Sequence, residues 1–296
     1  MFGQPRFAEV NAPLNAAFAA ARPLVAVHRG TGLGTIAENT SAAVSAALRQ
    51  GAEMVEIDIV QSTDGEFFLF HDGYEPMHFG LSRNIRDMTA TEIRALEYRW
   101  CSDAAGERYG VAELADVVRG HPEALFNVDR SWWFWRDLLP VLDGLDVLGR
   151  AVLKSPVEDE WLGLLASHPV KHAFAPMVRS HDDVLRVLTE PDINTVGFEL
   201  LAESPDHEFA QPEYLEWLHS RGCFALLNAI NLSNRVPLFC GWDDETSVLS
   251  DPDLGWGALV ALGADIIQTD WPGLLVPYRD RLALRGPAPV GQALAQ

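Results

Sequence analysis

Eight short apolar runs recur along the chain, most of them followed by a stretch with helical spacing. The runs are Leu24–His28, Met54–Ile59, Leu125–Asp129, Ala151–Lys154, His172–Pro176, Thr195–Leu200, Phe224–Asn228 and Asp265–Thr269. Between them, Ser41–Gln50, Val111–Arg119, Trp132–Leu142, Glu158–Ser167, Asp182–Leu188, Pro212–Ser220 and Leu254–Leu262 read as helices. Parallel strands need a crossover between them, and strands buried on both faces read as continuous apolar runs. Eight such units predict a (β/α)8 TIM barrel, and 296 residues suit that architecture as one domain spanning 1–296. One segment breaks the rhythm. Phe67–His71 predicts a further short strand, paired through the turn Thr63-Asp64-Gly65. Residues 72–108 then carry turns and a short helix near Thr91–Leu96, an insertion expected at the barrel mouth. The N-terminal Ala-rich stretch is interrupted by Asn15 and Arg22 and lacks a basic leader, so it predicts a helix entering the barrel rather than a signal peptide.

In such barrels chemistry collects at the C-terminal ends of the strands. Those ends carry His28-Arg29, Glu56 and Asp58, His71-Asp72, Asp129-Arg130, Lys154, Glu199, Asn228 and Asp270. Glu56 and Asp58 are two apart on one strand, so they point the same way. Two carboxylates that close repel each other. A hard divalent cation, Mg2+ or Ca2+, resolves the repulsion, with Asp129 as third ligand. His28 and His71 form the natural acid–base pair, because imidazole titrates near neutrality. The planar fork of Arg29 suits an anionic oxygen. In Glu38-Asn39-Thr40, Asn39 or Thr40 can cap the first helix, and a site role for Asn39 stays open. Glu38 is expected to hold Arg29 in place. Ser131-Trp132-Trp133-Phe134-Trp135 follows the third strand; at least one ring, Trp133, is expected to line the site, the rest serving helix packing. Asp243 and Asp244 are expected to cap the last barrel helix.

Charge narrows the partners. A net charge of −20 disfavours nucleic acid. It leaves a small anionic substrate open, since a bound cation and placed arginines reverse the local field. The three cysteines, Cys101, Cys223 and Cys240, show no metal spacing and fit a reducing compartment. No window approaches a membrane span, and a cytoplasmic location is expected.

The residues taken together resemble the glycerophosphodiester phosphodiesterase family. The resemblance rests on VAVHRG at 25–30, ENT at 38–40, GAEMVEIDIVQSTDG at 51–65 and FLFHDG at 68–73. It continues in LSRNIRDMTATEIRAL at 81–96 and GADIIQTDWPGLL at 263–275, and is faint between. It implies a phosphodiesterase in which His28 and His71 are the acid and base, Arg29 binds phosphate, and Glu56, Asp58 and Asp129 bind the metal. The family's strand reading Asn-Ile-Glu-Ile-Lys is Asn127-Val128-Asp129-Arg130-Ser131 here. Asp129 therefore stands for a longer Glu, and Ser131 for the lysine. Lys154 is expected to supply that positive charge. Ala37 replaces the proline before Glu-Asn-Thr, and the tryptophan near the seventh strand is missing, with Asn228 keeping the polar end. The departures imply a divergent branch acting on a glycerophosphodiester or a related sugar or inositol phosphodiester. The alternatives are a phospholipase of the sphingomyelinase D or phosphoinositide type, and a catalytically silent binding barrel.

Overall fold

All eight expected strands are present in the computed structural model, which describes residues 1–31, 34–102 and 108–285. They are β1 (Leu24–Val27), β2 (Met54–Gln61), β3 (Leu125–Asp129), β4 (Ala151–Leu153), β5, β6 (Gly197–Leu200), β7 (Phe224–Asn228) and β8 (Ile266–Thr269). β5 comes in two pieces, Ala173–Phe174 and Met177–Val178. The break falls at Ala175-Pro176, where proline has no N–H to give the ladder. Each strand pairs in parallel with the next, and β8 pairs with β1. The two pieces of β5 join β4 to β6, aided by a bridge from Phe174 to Thr195, so the ring closes.

Successive side chains on each strand go to opposite faces. Val25, Val27, Val55, Ile57, Phe126, Val128, Leu153, Ala225, Leu227 and Ile267 pack outward against the helices. Leu24, Ala26, Met54, Leu125, Val152, Ala173, Phe224, Leu226 and Ile266 fill the lower interior. Both sets are apolar, which is why the strands show no polar alternation in the sequence. The N-terminal helix Ala12–Ala20 packs Leu14 and Phe18, together with Phe2, against this lower layer. Phe2 meets Phe18 and Phe224 edge-on, at ring separations of 4.7 and 5.9 Å.

Gly197 makes room for that plug. A Cβ at this position would lie 2.3 Å from the Phe224 ring. Replacing Gly197 by alanine is expected to destabilise the fold by about 1–3 kcal/mol through overpacking. Urea titration measures the change, and an unchanged midpoint would count against this account of the plug.

After β2 the chain folds back. Phe67–Leu69 runs antiparallel to β2, and Ala112–Glu113 pairs with Phe68 and Leu69. The helix expected from Val111 therefore begins later, at Leu114, because Ala112 and Glu113 are used in the ladder. Between these strands lie short helices at Glu75–His78, Ile85–Asp87 and Ala90–Arg94, and a strand pair, Glu97–Ser102 with Arg108–Gly110. Thr89 and Glu92 form a capping box on Ala90–Arg94. Phe68, Phe70, Phe79, Ile85, Met88, Ile93 and Tyr98 bury together, giving this excursion its own small core. Residues 103–107 and the side chain of Cys101 lie outside the described set. No helix among the described residues is long and apolar enough to cross a membrane.

Candidate active site at the barrel mouth

The site is built on left-handed backbone. Arg29, Asn39 and Arg130 all have positive φ, at 55°, 55° and 49°. Such conformations are costly for residues with a Cβ and concentrate where side chains must be aimed. At Gly30, φ 69°, a Cβ would also come within 3.0 Å of Ala43, so the turn after β1 sits directly on the following helix. This turn lets the Arg29 N–H donate to Glu56 Oε2 at 2.8 Å. The guanidinium donates to Glu38 Oε1 at 2.9 Å, and its Nε lies 3.1 Å from Asp58 Oδ2. Its flat face covers the Tyr74 ring at 4.8 Å. Burial works against the Glu38 charge, but His78 and Arg29 hold its carboxyl down to about 2.

Asn39 and Thr40 divide the two roles open to them. Thr40 caps the helix Ser41–Arg49 by accepting from the Ala43 N–H. Asn39 is buried and clamps Asp58 twice: its Nδ2 donates to Oδ2 at 2.9 Å, and its Oδ1 accepts the Asp58 N–H at 3.0 Å.

Glu56, Asp58 and Asp129 form a carboxylate cluster whose nearest oxygens lie within 4.8 Å of one another. The β2–β3 register places Asp58 opposite Asp129. Arg29 neutralises Asp58, and Lys154 Nζ sits 2.8 Å from Asp129. Glu56 has no ion-pair partner among the described residues. Burial and the charge of Asp58 push its carboxyl up to about 8. Burial alone would also raise Asp129, but Lys154 and the Arg130 N–H hold it below the usual carboxylate range. This all-oxygen donor set, with one carboxyl forced towards its neutral form, fits a hard divalent cation.

Lys154 is fully buried. Its ammonium also meets Glu199 at 3.0 Å. Burial disfavours the charged form, yet Asp129, Glu199 and Glu56 together raise its pKa above the ordinary lysine value. Asn228 donates to Glu199 Oε1 at 2.7 Å, while its own Oδ1 is buried without a hydrogen-bond partner.

The two histidines are held differently. His28 Nδ1 lies 2.9 Å from Asp270 Oδ1. An Nδ1–H donated there leaves Nε2 for other work. Burial lowers the His28 pKa, but the Asp270 hydrogen bond and the Glu56 charge outweigh it, and the net shift is upward. His71 Nδ1 lies 2.9 Å from the carbonyl oxygen of Asp72. Its pKa is shifted downward, by burial and then by Arg29 and Arg130, against the pull of Asp58. Asp72 in turn accepts from Arg130 Nε at 3.1 Å.

The aromatic run after β3 separates by depth. Trp132 and Trp135 are buried, and Trp135 Nε1 donates to Ser131 Oγ. Trp133 is 43% exposed, with the guanidinium groups of Arg86 and Arg130 over its ring at 5.3 and 5.4 Å. Asp243 caps a separate short helix, Asp244–Leu249, through the Thr246 N–H; the expected last barrel helix runs Trp256–Leu262 and starts at Gly255 instead. Asp244 differs. It is buried and accepts from Trp256 Nε1, Thr269 Oγ1 and the Asp270 N–H, at 2.7, 2.6 and 2.8 Å. Burial pushes its carboxyl up to about 7. It fixes the end of β8, where Asp270 meets His28. Asp270 and Glu199 were visible in the sequence only as polar strand ends, and no local pattern named their partners.

The family model described as the glycerophosphoryl diester phosphodiesterase family matches residues 28–133. A model for a domain of unknown function matches residues 174–279. The glycerophosphodiester phosphodiesterase of Caldanaerobacter subterraneus subsp. tengcongensis is 31% identical over 110 residues, 36% of this chain and 45% of that relative. The match thus spans less than half the relative's length. A glycerophosphoryl diester phosphodiesterase structure from Parabacteroides distasonis superposes with a TM-score of 0.69 at 17% identity, covering 92% of this chain and 89% of that one. The enzyme from Thermotoga maritima gives 0.62 at 21% identity, over 87% and 99%. A phosphodiesterase from Oleispira antarctica, solved with the product sn-glycerol-3-phosphate, gives 0.64 at 17%, over 89% and 99%. These structures share the fold of the whole barrel. Residues 28–133 thus resemble the glycerophosphoryl diester phosphodiesterase family, and the whole barrel shares its fold with solved structures of such enzymes.

Proposed function

We infer that the protein hydrolyses a glycerophosphodiester, or a related sugar or inositol phosphodiester, to a phosphomonoester and an alcohol. The observation that carries this reading is the pairing of two differently poised histidines with Arg29 and a three-carboxylate cluster at one mouth. The named activity of the Caldanaerobacter relative and the product bound to the Oleispira enzyme support the substrate class. Glu56, Asp58 and Asp129 would hold Mg2+ or Ca2+, which supplies electrostatic stabilisation of the phosphoryl oxygens.

His28 bonds to a carboxylate, which favours its imidazolium. His71 bonds to a neutral carbonyl beside two guanidinium groups, which favours its neutral form. Environments that separate two titrating groups assign acid and base. His71 takes the proton of a hydroxyl neighbouring the phosphate. That oxygen attacks phosphorus in line, the bond to the departing alcohol breaks, and His28 protonates the leaving oxygen. In the second step His28 takes a proton from water, which opens the cyclic phosphate, and His71 returns its proton to the original hydroxyl oxygen. Arg29 holds a non-bridging oxygen throughout. Lys154, engaged by Asp129 and Glu199, acts on the phosphate only by setting Asp129. The unpartnered Oδ1 of Asn228 suits a substrate hydroxyl, and Trp133 suits the apolar face of a sugar ring.

Hydrolysis of bis-p-nitrophenyl phosphate and glycerophosphocholine, after EDTA and again with Mg2+, Ca2+ or Mn2+ restored, tests the reading. Metal-dependent turnover of both supports a glycerophosphodiesterase. Turnover of the synthetic ester alone moves the substrate to sugar or lipid diesters, and no turnover favours the silent barrel. Glu56 adds a calorimetric prediction. Because its carboxyl sits at about 8, cation binding at pH 7 must displace its proton. About one proton should be released per cation, read as a buffer-dependent binding enthalpy. The release should fade as pH rises above 8, where Glu56 is already ionised.

A further inference from the structure

A second ligand-forming cluster lies at the opposite end of the barrel. Asp143 ends the helix Trp135–Asp143, His168 follows the helix Asp159–Ser167, and His172 immediately precedes β5. His172 Nε2 lies 2.8 Å from Asp143 Oδ1, and His168 Nε2 lies 3.0 Å from Asp143 Oδ2. The imidazoles lie nearly parallel, 6.0 Å apart and tilted by 25°, so both Nε2 atoms address one carboxylate. One ligand atom from each residue falls within 4.8 Å of the others.

We propose that Asp143, His168 and His172 form a structural binding site for a transition-metal ion such as Zn2+, separate from the mouth. Imidazole nitrogens with one carboxylate suit first-row transition metals, whereas the mouth's all-carboxylate set suits Mg2+ or Ca2+. Metal–ligand bonds of 2.0–2.2 Å in a tetrahedron set donor atoms about 3.3 Å apart. From Asp143 Oδ1 the separations are 2.8 Å to His172 Nε2 and 3.2 Å to His168 Nε2, which need only a small expansion to reach that. Two helix C-termini, each carrying partial negative charge, converge here and favour a cation. Asp143, an acid at the end of its own helix, depends on the two histidines: against burial, their hydrogen bonds hold its carboxyl below the usual carboxylate range. Lys171 is engaged elsewhere, donating to the carbonyl of Ala166 at 2.8 Å. Asp143 is partly exposed, which leaves water room for the fourth position. His172 Nδ1 is buried with no hydrogen-bond partner. That missing outer support weakens affinity by about 10–100-fold relative to a fully supported site. The ion would tie the loops between β3 and β5 to the barrel floor.

The test uses the full chain with excess Mg2+ present to compete at the mouth's carboxylates. Titration with Co2+ should give visible absorption of tetrahedral strength, saturating at about one ion per chain, and Zn2+ should displace it. His168→Ala, at a partly exposed position, should weaken Zn2+ binding at least tenfold by calorimetry, and Glu56→Gln should leave it unchanged. Zn2+ should also raise the Tm of the parent and not of His168→Ala. No visible band with Co2+, or equal Zn2+ affinity in parent and His168→Ala, overturns the site. None of these readouts involves turnover, so they stand or fall apart from the phosphodiesterase reading.

Discussion

His71→Ala is expected to lower kcat for phosphodiester hydrolysis by roughly 10²–10⁴-fold, the usual worth of a positioned acid or base. His71 is partly exposed, so the substitution leaves the core intact, and circular dichroism should match the parent. Turnover within about threefold of the parent would remove His71 from the chemistry. The pH profile carries a second, sharper reading. His71 sits below the ordinary value of 6.5, so the rate should fall on the acid side as this base is protonated. His28 sits above 6.5, so the rate should fall on the alkaline side as this acid loses its proton. Asp270→Asn removes the charge that raises His28. The alkaline limb should then move to lower pH while the acid limb stays. Movement of the acid limb instead would reverse the assignment of the two histidines.

Lys154→Met carries the largest expected stability effect. The ammonium is buried and pairs with both Asp129 and Glu199. Methionine matches its length, but leaves two buried carboxylates without their cation. Breaking a buried ion pair from one side costs about 3–5 kcal/mol at neutral pH. The pH dependence fixes the cause. Asp129 has a depressed pKa in the fold, so the stability it draws from Lys154 is present above the unfolded value of 3.8 and lost as pH falls through the folded value. Lys154 has a raised pKa, so its contribution is complete below 10.5 and fades only above that. The gap between Lys154→Met and the parent should therefore be wide from pH 5 to 9 and close in acid. A gap independent of pH would point to lost packing instead. Activity should fall in the same variant even where it is folded, because Asp129 loses the group that orients it.

The sequence by itself determined the strands, the order of the units, and which residues end each strand. Runs such as Leu24–Val27 and Ala151–Leu153 are apolar on both faces because helices cover one side and the barrel interior the other, and that pattern is local. The pairing of Glu56 with Asp58 was legible for the same reason, since a strand's two-residue period puts both on one face. Local rules failed where one residue had two possible duties. Ala112 and Glu113 read as the start of a helix and are used as a strand, because Phe68 and Leu69 offer them a ladder. Asn39 read equally as a cap, and only the arrival of Asp58 beside it decided otherwise. The tertiary structure alone decided the partnerships: His28 with Asp270 across 242 positions, and Lys154 with Glu199 across 45. These depend on how the ring closes and in what register, a property of all eight strands together that no segment carries. The same closure turns Lys154 from a strand-end cation into a buried clamp, and gathers two helix ends and His172 on the floor of the barrel.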